Sequence, residues 1–174
     1  MTPIPMTDQE AKIATDALSE QIDRYAELLV RKGCAVQKGQ SLVVSAPIQI
    51  ADFVRRIERA AYAAGAGFVT VLWSDAESTR IKYENVSVER LSKTPSWVKE
   101  QLNSLAEEGA AFLFLEARDP NILKGIDPAK PAAEARARNI DCDVFRSGLD
   151  FGRNAWCIAG VPVAPWAKEV FPNL

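Results

Sequence analysis

Apolar residues along this chain alternate between two patterns, stretches at helical spacing and short unbroken runs, and that alternation predicts the fold class. Leu18, Ile22, Tyr25, Ala26 and Leu29 recur at helical spacing until Gly33 stops them. They predict one helix that can break near Ser19, with Thr7 and Glu10 placed as a capping box ahead of it. After a turn at Gln37-Lys38-Gly39-Gln40, the run Ser41-Leu42-Val43-Val44-Ser45 has no polar alternation, so it reads as a strand covered on both faces. Pro47 fits the first turn of the next helix. Ile50, Phe53, Val54, Ile57, Ala61 and Ala64 then form an apolar stripe opposite Asp52, Arg55, Arg56, Glu58 and Arg59. That helix ends at Gly65, and Phe68 to Trp73 gives a second buried strand. Strand, helix and strand make a βαβ unit, with parallel strands and a right-handed crossover.

The pattern repeats with variations. Asp75 to about Leu91 is weakly helical, and Thr94-Pro95 caps a stretch carrying Trp97, Val98, Leu102, Leu105 and Ala106 up to Gly109. Ala110 to Leu115 is the third strand. Asp119-Pro120 and Asp127-Pro128 both read as helix starts, and a helix rich in Ala and Arg runs through Ile140 toward Phe145. Trp156 to Ala159 is the fourth strand, and Ala164-Pro165 opens a last short helix through Val170. Residues 1–17 are a loose extension or the first helical turns. Residues 18–174 form a single three-layer α/β domain, with a mainly parallel sheet of about four strands and helices on both faces. Val170 to Leu174 is apolar, with Pro172-Asn173 resembling the start of another element.

Composition narrows the chemistry. The chain contains no histidine, so neither a Ser-His-Asp nor a Cys-His machine can be assembled from it, and a zinc site with His ligands is excluded. Lys and Arg number 21 against 23 Asp and Glu, with the signs interspersed, which points away from nucleic acid or an anionic membrane as partner. No apolar run is long enough for a membrane span, and Met1 to Met6 lacks the basic start of a signal peptide, so the sequence reads as cytoplasmic. Cys34, Cys142 and Cys157 lie too far apart for a CxxC pair and read as small apolar residues.

Ligands of open α/β sheets favour the crevice beyond the carboxyl ends of the strands. Those ends offer no Gly-rich phosphate loop, and Gly65-Ala66-Gly67 sits on the opposite side as a helix cap and turn. Asp75, Glu77, Glu116 and Asp119 could gather there around magnesium or manganese, or could serve as helix caps and first-turn acids. Arg136, Arg138, Arg146 and Arg153 read as a solvated helix face before an anion site. Lys124 and Tyr83 lack a sequence neighbour that would tune them, and the four tryptophans read as core or interface residues.

Several strings carry a resemblance: Val36-Gln37-Lys38-Gly39-Gln40, Ala51-Asp52-Phe53-Val54, Trp73-Ser74-Asp75 with Thr79-Arg80, and Glu107-Glu108-Gly109-Ala110. Leu123 to Pro128, Ser147 to Cys157, and Val161-Pro162 with Pro165-Trp166-Ala167-Lys168 continue it. Together they resemble, from about Leu18 to Leu174, the N-terminal half of the aminopeptidase T, aminopeptidase S and PepS family of metallo-aminopeptidases. The resemblance implies a cytoplasmic, dimeric exopeptidase that uses two divalent metal ions, zinc or cobalt, on peptide substrates. It also implies that the metal ligands come from a C-terminal half whose positions this sequence does not contain, so no catalytic, cofactor or metal residue carries over. The resulting expectation is a substrate-access and dimer-shaping domain, inactive alone. A freestanding binding module of the same fold is the alternative.

Overall fold

In the computed structural model, residues 8–172 are described. The capping box at Thr7 and the start signal at Asn173 lie outside them. The apolar runs form β1 (Ser41–Pro47), β2 (Phe68–Ser74), β3 (Ala111–Glu116) and β4 (Trp156–Gly160). They build one sheet in the order β2-β1-β3-β4, with every neighbouring pair parallel. The register sets Leu42 between Val69 and Ala111, and Phe112 beside Trp156. Helix α1 (Asp8–Leu28) precedes the sheet, and α2 (Ala51–Ala63) joins β1 to β2. Helices α3 (Ala76–Asn85), α4 (Val88–Leu91) and α5 (Ser96–Glu107) carry the chain back past β1 to β3. Helices α6 (Ala129–Asp141) and α7 (Asp143–Asp150) lead to β4, and α8 (Ala164–Val170) follows.

Alternation along the strands divides the interior into two layers. Leu42 and Val44 of β1 and Leu113 of β3 pack with Val30, Val54 and Ile57 beneath α1 and α2. Val43 and Phe112 point the other way, into Leu102, Ala106 and Phe145 of α5 and α7. The expected three-layer α/β domain with a parallel four-stranded sheet is what the chain forms. Gly67 keeps the β2 entrance tight, because a Cβ there would collide with the Gly39 carbonyl.

Local expectations differ at several points. Helix α1 passes Ser19 unbroken, and the Ser19 carbonyl and hydroxyl instead accept bonds of 3.2 Å from Arg56 on α2. A π turn at Leu29–Gly33 ends it. The weak helix after Asp75 is two helices, interrupted at Val86 and restarted by Ser87, whose hydroxyl accepts from the Arg90 amide. Thr94 does not cap α5: its amide donates to Asp141, and its buried hydroxyl has no partner. Asp119-Pro120 opens successive tight turns, closed by Gly125 at φ 84°, in place of a helix. The helix expected to reach Phe145 breaks at Cys142, whose ψ of 49° turns the chain into α7. Of β2, which lies at the edge of the sheet, only Val69 is buried. None of Trp73, Trp97, Trp156 and Trp166 belongs to the core; each is more than 40% exposed.

Candidate functional site

The carboxyl ends of the strands meet the loops at Pro47, Ser74, Glu116 and Gly160. The order β2-β1-β3-β4 places the topological switch between β1 and β3, where chains leaving adjacent strands part to opposite faces. Here Gln49 Nε2 donates to the Ala117 carbonyl at 2.9 Å and bridges the parting. The open space lies further along, between the loop after β3 and α8. It is a cleft of about 300 Å³ lined by Glu116, Arg118, Asp119, Ile122, Leu123 and Trp166. Asn121 Nδ2 bonds Glu169 at 2.7 Å and ties that loop to α8.

The carboxylates named from the sequence are committed to local work. Asp75 caps α3, accepting the Glu77 amide at 2.8 Å and the Ser78 amide at 3.3 Å, and Glu77 lies in the first turn behind it. Glu116 is paired with Arg118 through two contacts, the shorter 2.7 Å, and Asp119 accepts the Asn121 amide at 2.8 Å. Among the described residues no three His, Cys, Asp or Glu side chains stand close enough to hold a metal ion.

The arginines act separately. Arg146 bonds Asp150 and Asn139, Arg153 bonds the Ser147 hydroxyl, and Arg136 lines a groove between α4 and α6. Cys34 is fully buried, its Sγ 3.5 Å from the Phe112 carbonyl, and burial with the neighbouring Cys157 pushes its thiol up to about 12. Burial likewise raises the Cys142 thiol. Cys157 is half-buried against Gly33.

One cluster behind the cleft had no signal in the sequence. Glu134 on α6 takes both carboxylate contacts from Lys82 Nζ, at 2.7 and 2.8 Å, and a 2.6 Å bond from the Tyr83 hydroxyl. Lys130 Nζ returns to the Tyr83 carbonyl, and Arg80 donates to the carbonyls of Ile122 and Lys124, fixing the cleft loop to α3. Burial, the bond to Glu134 and its charge raise the Tyr83 hydroxyl, so it serves as a neutral donor. Burial alone would raise the Glu134 carboxyl, but the bonds from Lys82 and Tyr83 and the charges of Lys82 and Arg138 outweigh it and hold the group low. A lowered carboxyl contributes stability that is complete above the ordinary carboxylate range and is lost as pH falls through its folded value. With both side chains more than a third exposed, Glu134→Gln is expected to cost about 1 kcal/mol at neutral pH. The gap between the urea midpoints of the two proteins should shrink as pH falls from the ordinary carboxylate range to below it; a gap that stays constant down to the acid limit of folding would show that charge is not the cause.

The fold and the cleft define a parallel α/β domain with its open site at the carboxyl edge of the sheet. The family described as thermophilic metalloprotease (M29) matches residues 18–174, and the chain belongs to that family. It is 38% identical over 158 residues to aminopeptidase AmpS of Bacillus subtilis, covering 91% of this chain and 38% of that protein. Against aminopeptidase T of Thermus thermophilus it is 34% identical over 163 residues, 91% of this chain and 39% of that protein. The solved structure of wild-type AmpT from Thermus thermophilus superposes with a TM-score of 0.80 at 32% identity, covering 90% of this chain and 39% of that one. The chain thus spans about two fifths of the length of the curated relatives it matches. No described helix is long and apolar enough to cross a membrane.

Proposed function

We propose that this chain is the N-terminal domain of a metal-dependent aminopeptidase that releases N-terminal amino acids from peptides. The observation that carries the reading is the identity of 34 to 38% over about nine tenths of the chain to proteins named as aminopeptidases. The local roles of the edge carboxylates support it: Asp75 caps α3 and Glu116 pairs with Arg118, and the domain shapes access to a metal site held by other residues. The complete enzyme is a cytoplasmic, dimeric exopeptidase carrying two divalent ions, zinc or cobalt. Such ions polarise a scissile carbonyl and supply hydroxide near neutral pH.

The test is an amino-acid anilide assay on the purified chain with cobalt or zinc. No release above buffer is expected. Release that scales with chain concentration, and survives a further purification step, would sink the proposal.

A further inference from the structure

We propose that the apolar surface shared by β4 and α8 is where the remaining length of an M29 polypeptide packs onto this domain. The inference rests on the functional reading above and adds a place to it.

Parallel strands of α/β proteins are ordinarily covered on both faces. Strand β4 is covered on one. Cys157 and Ala159 pack into the layer beneath α1, and the Tyr25 hydroxyl donates to the Gly160 carbonyl at 3.1 Å. On the opposite face α7 reaches only the start of the strand, where Trp156 Nε1 donates to the Leu149 carbonyl at 3.2 Å. Beyond that contact Trp156 is 46% exposed and Ile158 60%.

The next residue on this face is Gly160, and the Trp166 ring lies over it, so close that an added Cβ would come within 3.2 Å of two ring carbons. The exposed row therefore continues from the strand onto α8. That seven-residue helix buries none of its residues, and Val170 and Phe171 at its end are each more than half exposed. A helix this short gains its stability from packing, not from its own backbone bonds. Both elements thus lack the same cover.

The occupant follows from length. About three fifths of each matched relative lies outside the region this chain covers, and a connected apolar face is the kind of surface that joins domains.

The test replaces the matched region of Bacillus subtilis AmpS with this chain and compares hydroxyl-radical labelling of the isolated chain and the chimera. Trp156 and Trp166 should be labelled at least about fivefold more slowly in the chimera. Trp97, which is 67% exposed on α5, should be unchanged. Equal labelling of Trp156 and Trp166 in both proteins overturns the proposal. So does an isolated chain that is already a dimer with both tryptophans protected, since the surface then belongs to a second copy. If the chimera does not fold, the separately produced remainder of AmpS is added to the chain; selective protection of the two tryptophans supports the proposal, and none overturns it. Peptide hydrolysis by the chimera separates the two readings. Protection without hydrolysis leaves the docking surface standing and counts against the aminopeptidase reading. Hydrolysis without protection does the reverse.

Discussion

Asn154→Ala is expected to lower the unfolding free energy by about 3 kcal/mol, read from urea denaturation. Asn154 is 3% exposed, the one buried polar residue among those described. Its Nδ2 donates to the Ala106 carbonyl at 3.0 Å and the Ala110 carbonyl at 2.9 Å, and its own amide donates to Gly148 at 3.0 Å. Ala106 lies in the last turn of α5, where carbonyls lose their intrahelical partners. The side chain therefore joins the end of α5 to the start of β3, and the backbone amide ties both to α7. Packing around it is close: a Cβ on Gly148 would collide with Asn154 Oδ1. Alanine removes both donors; the Ala106 carbonyl keeps the Gly109 amide at 3.0 Å and the Ala110 carbonyl loses its bond to Asn154, whereas aspartate keeps the shape and adds a buried charge. The expected order of stability is wild type, then alanine, then aspartate. A loss below about 1 kcal/mol for alanine would mean that water replaces the amide, and the role assigned to Asn154 would be wrong.

Phe112→Ala should cost about 4 kcal/mol, within the usual range for a large core aromatic. Phe112 is 1% exposed at the centre of the sheet. Its ring meets Phe145 edge-on at 4.9 Å and lies parallel to Phe114 at 6.4 Å. Removing it opens a cavity between β3 and α7 that backbone hydrogen bonding of the strand keeps from collapsing. Phe151, 77% exposed and touched by Arg153, offers the contrast: its alanine variant should change stability by less than about 0.5 kcal/mol. Equal effects at the two positions would contradict the layered core.

The stripe on α2 was legible in the sequence because amphipathic spacing is a local property: Phe53, Val54, Ile57 and Ala61 are buried as a set. The central strands were legible for a related reason, since the apolar runs Leu42-Val43-Val44 of β1 and Ala111 to Leu115 of β3 lack polar alternation and are buried nearly throughout. What the sequence hides is which strand lies at an edge. The apolar run of β2 resembles that of β1, yet β2 lies at the sheet edge and Phe68 and Trp73, near its two ends, are exposed. Of the two roles open to the tryptophans, core or interface, their exposure leaves the second.

The candidate site was legible only in outline. Its place at the carboxyl edge follows from the βαβ pattern, and the capping role of Asp75 follows from its position before a helix. The clamp of Lys82, Tyr83 and Glu134 joins α3 to α6 across about fifty residues of sequence, and no local pattern marks either half. The arginine contacts that hold the cleft loop are also unreadable, since Arg80 bonds backbone carbonyls that every residue possesses.

We propose that this chain is a non-catalytic domain of a metal-dependent aminopeptidase. The most direct test is cobalt-dependent hydrolysis of leucine anilide by the AmpS chimera, with the isolated chain assayed beside it. Metal-dependent release by the chimera, abolished by chelation, is expected, and none by the chain. A folded, metal-loaded chimera that leaves the anilide intact, or an isolated chain that cleaves it, would contradict the account.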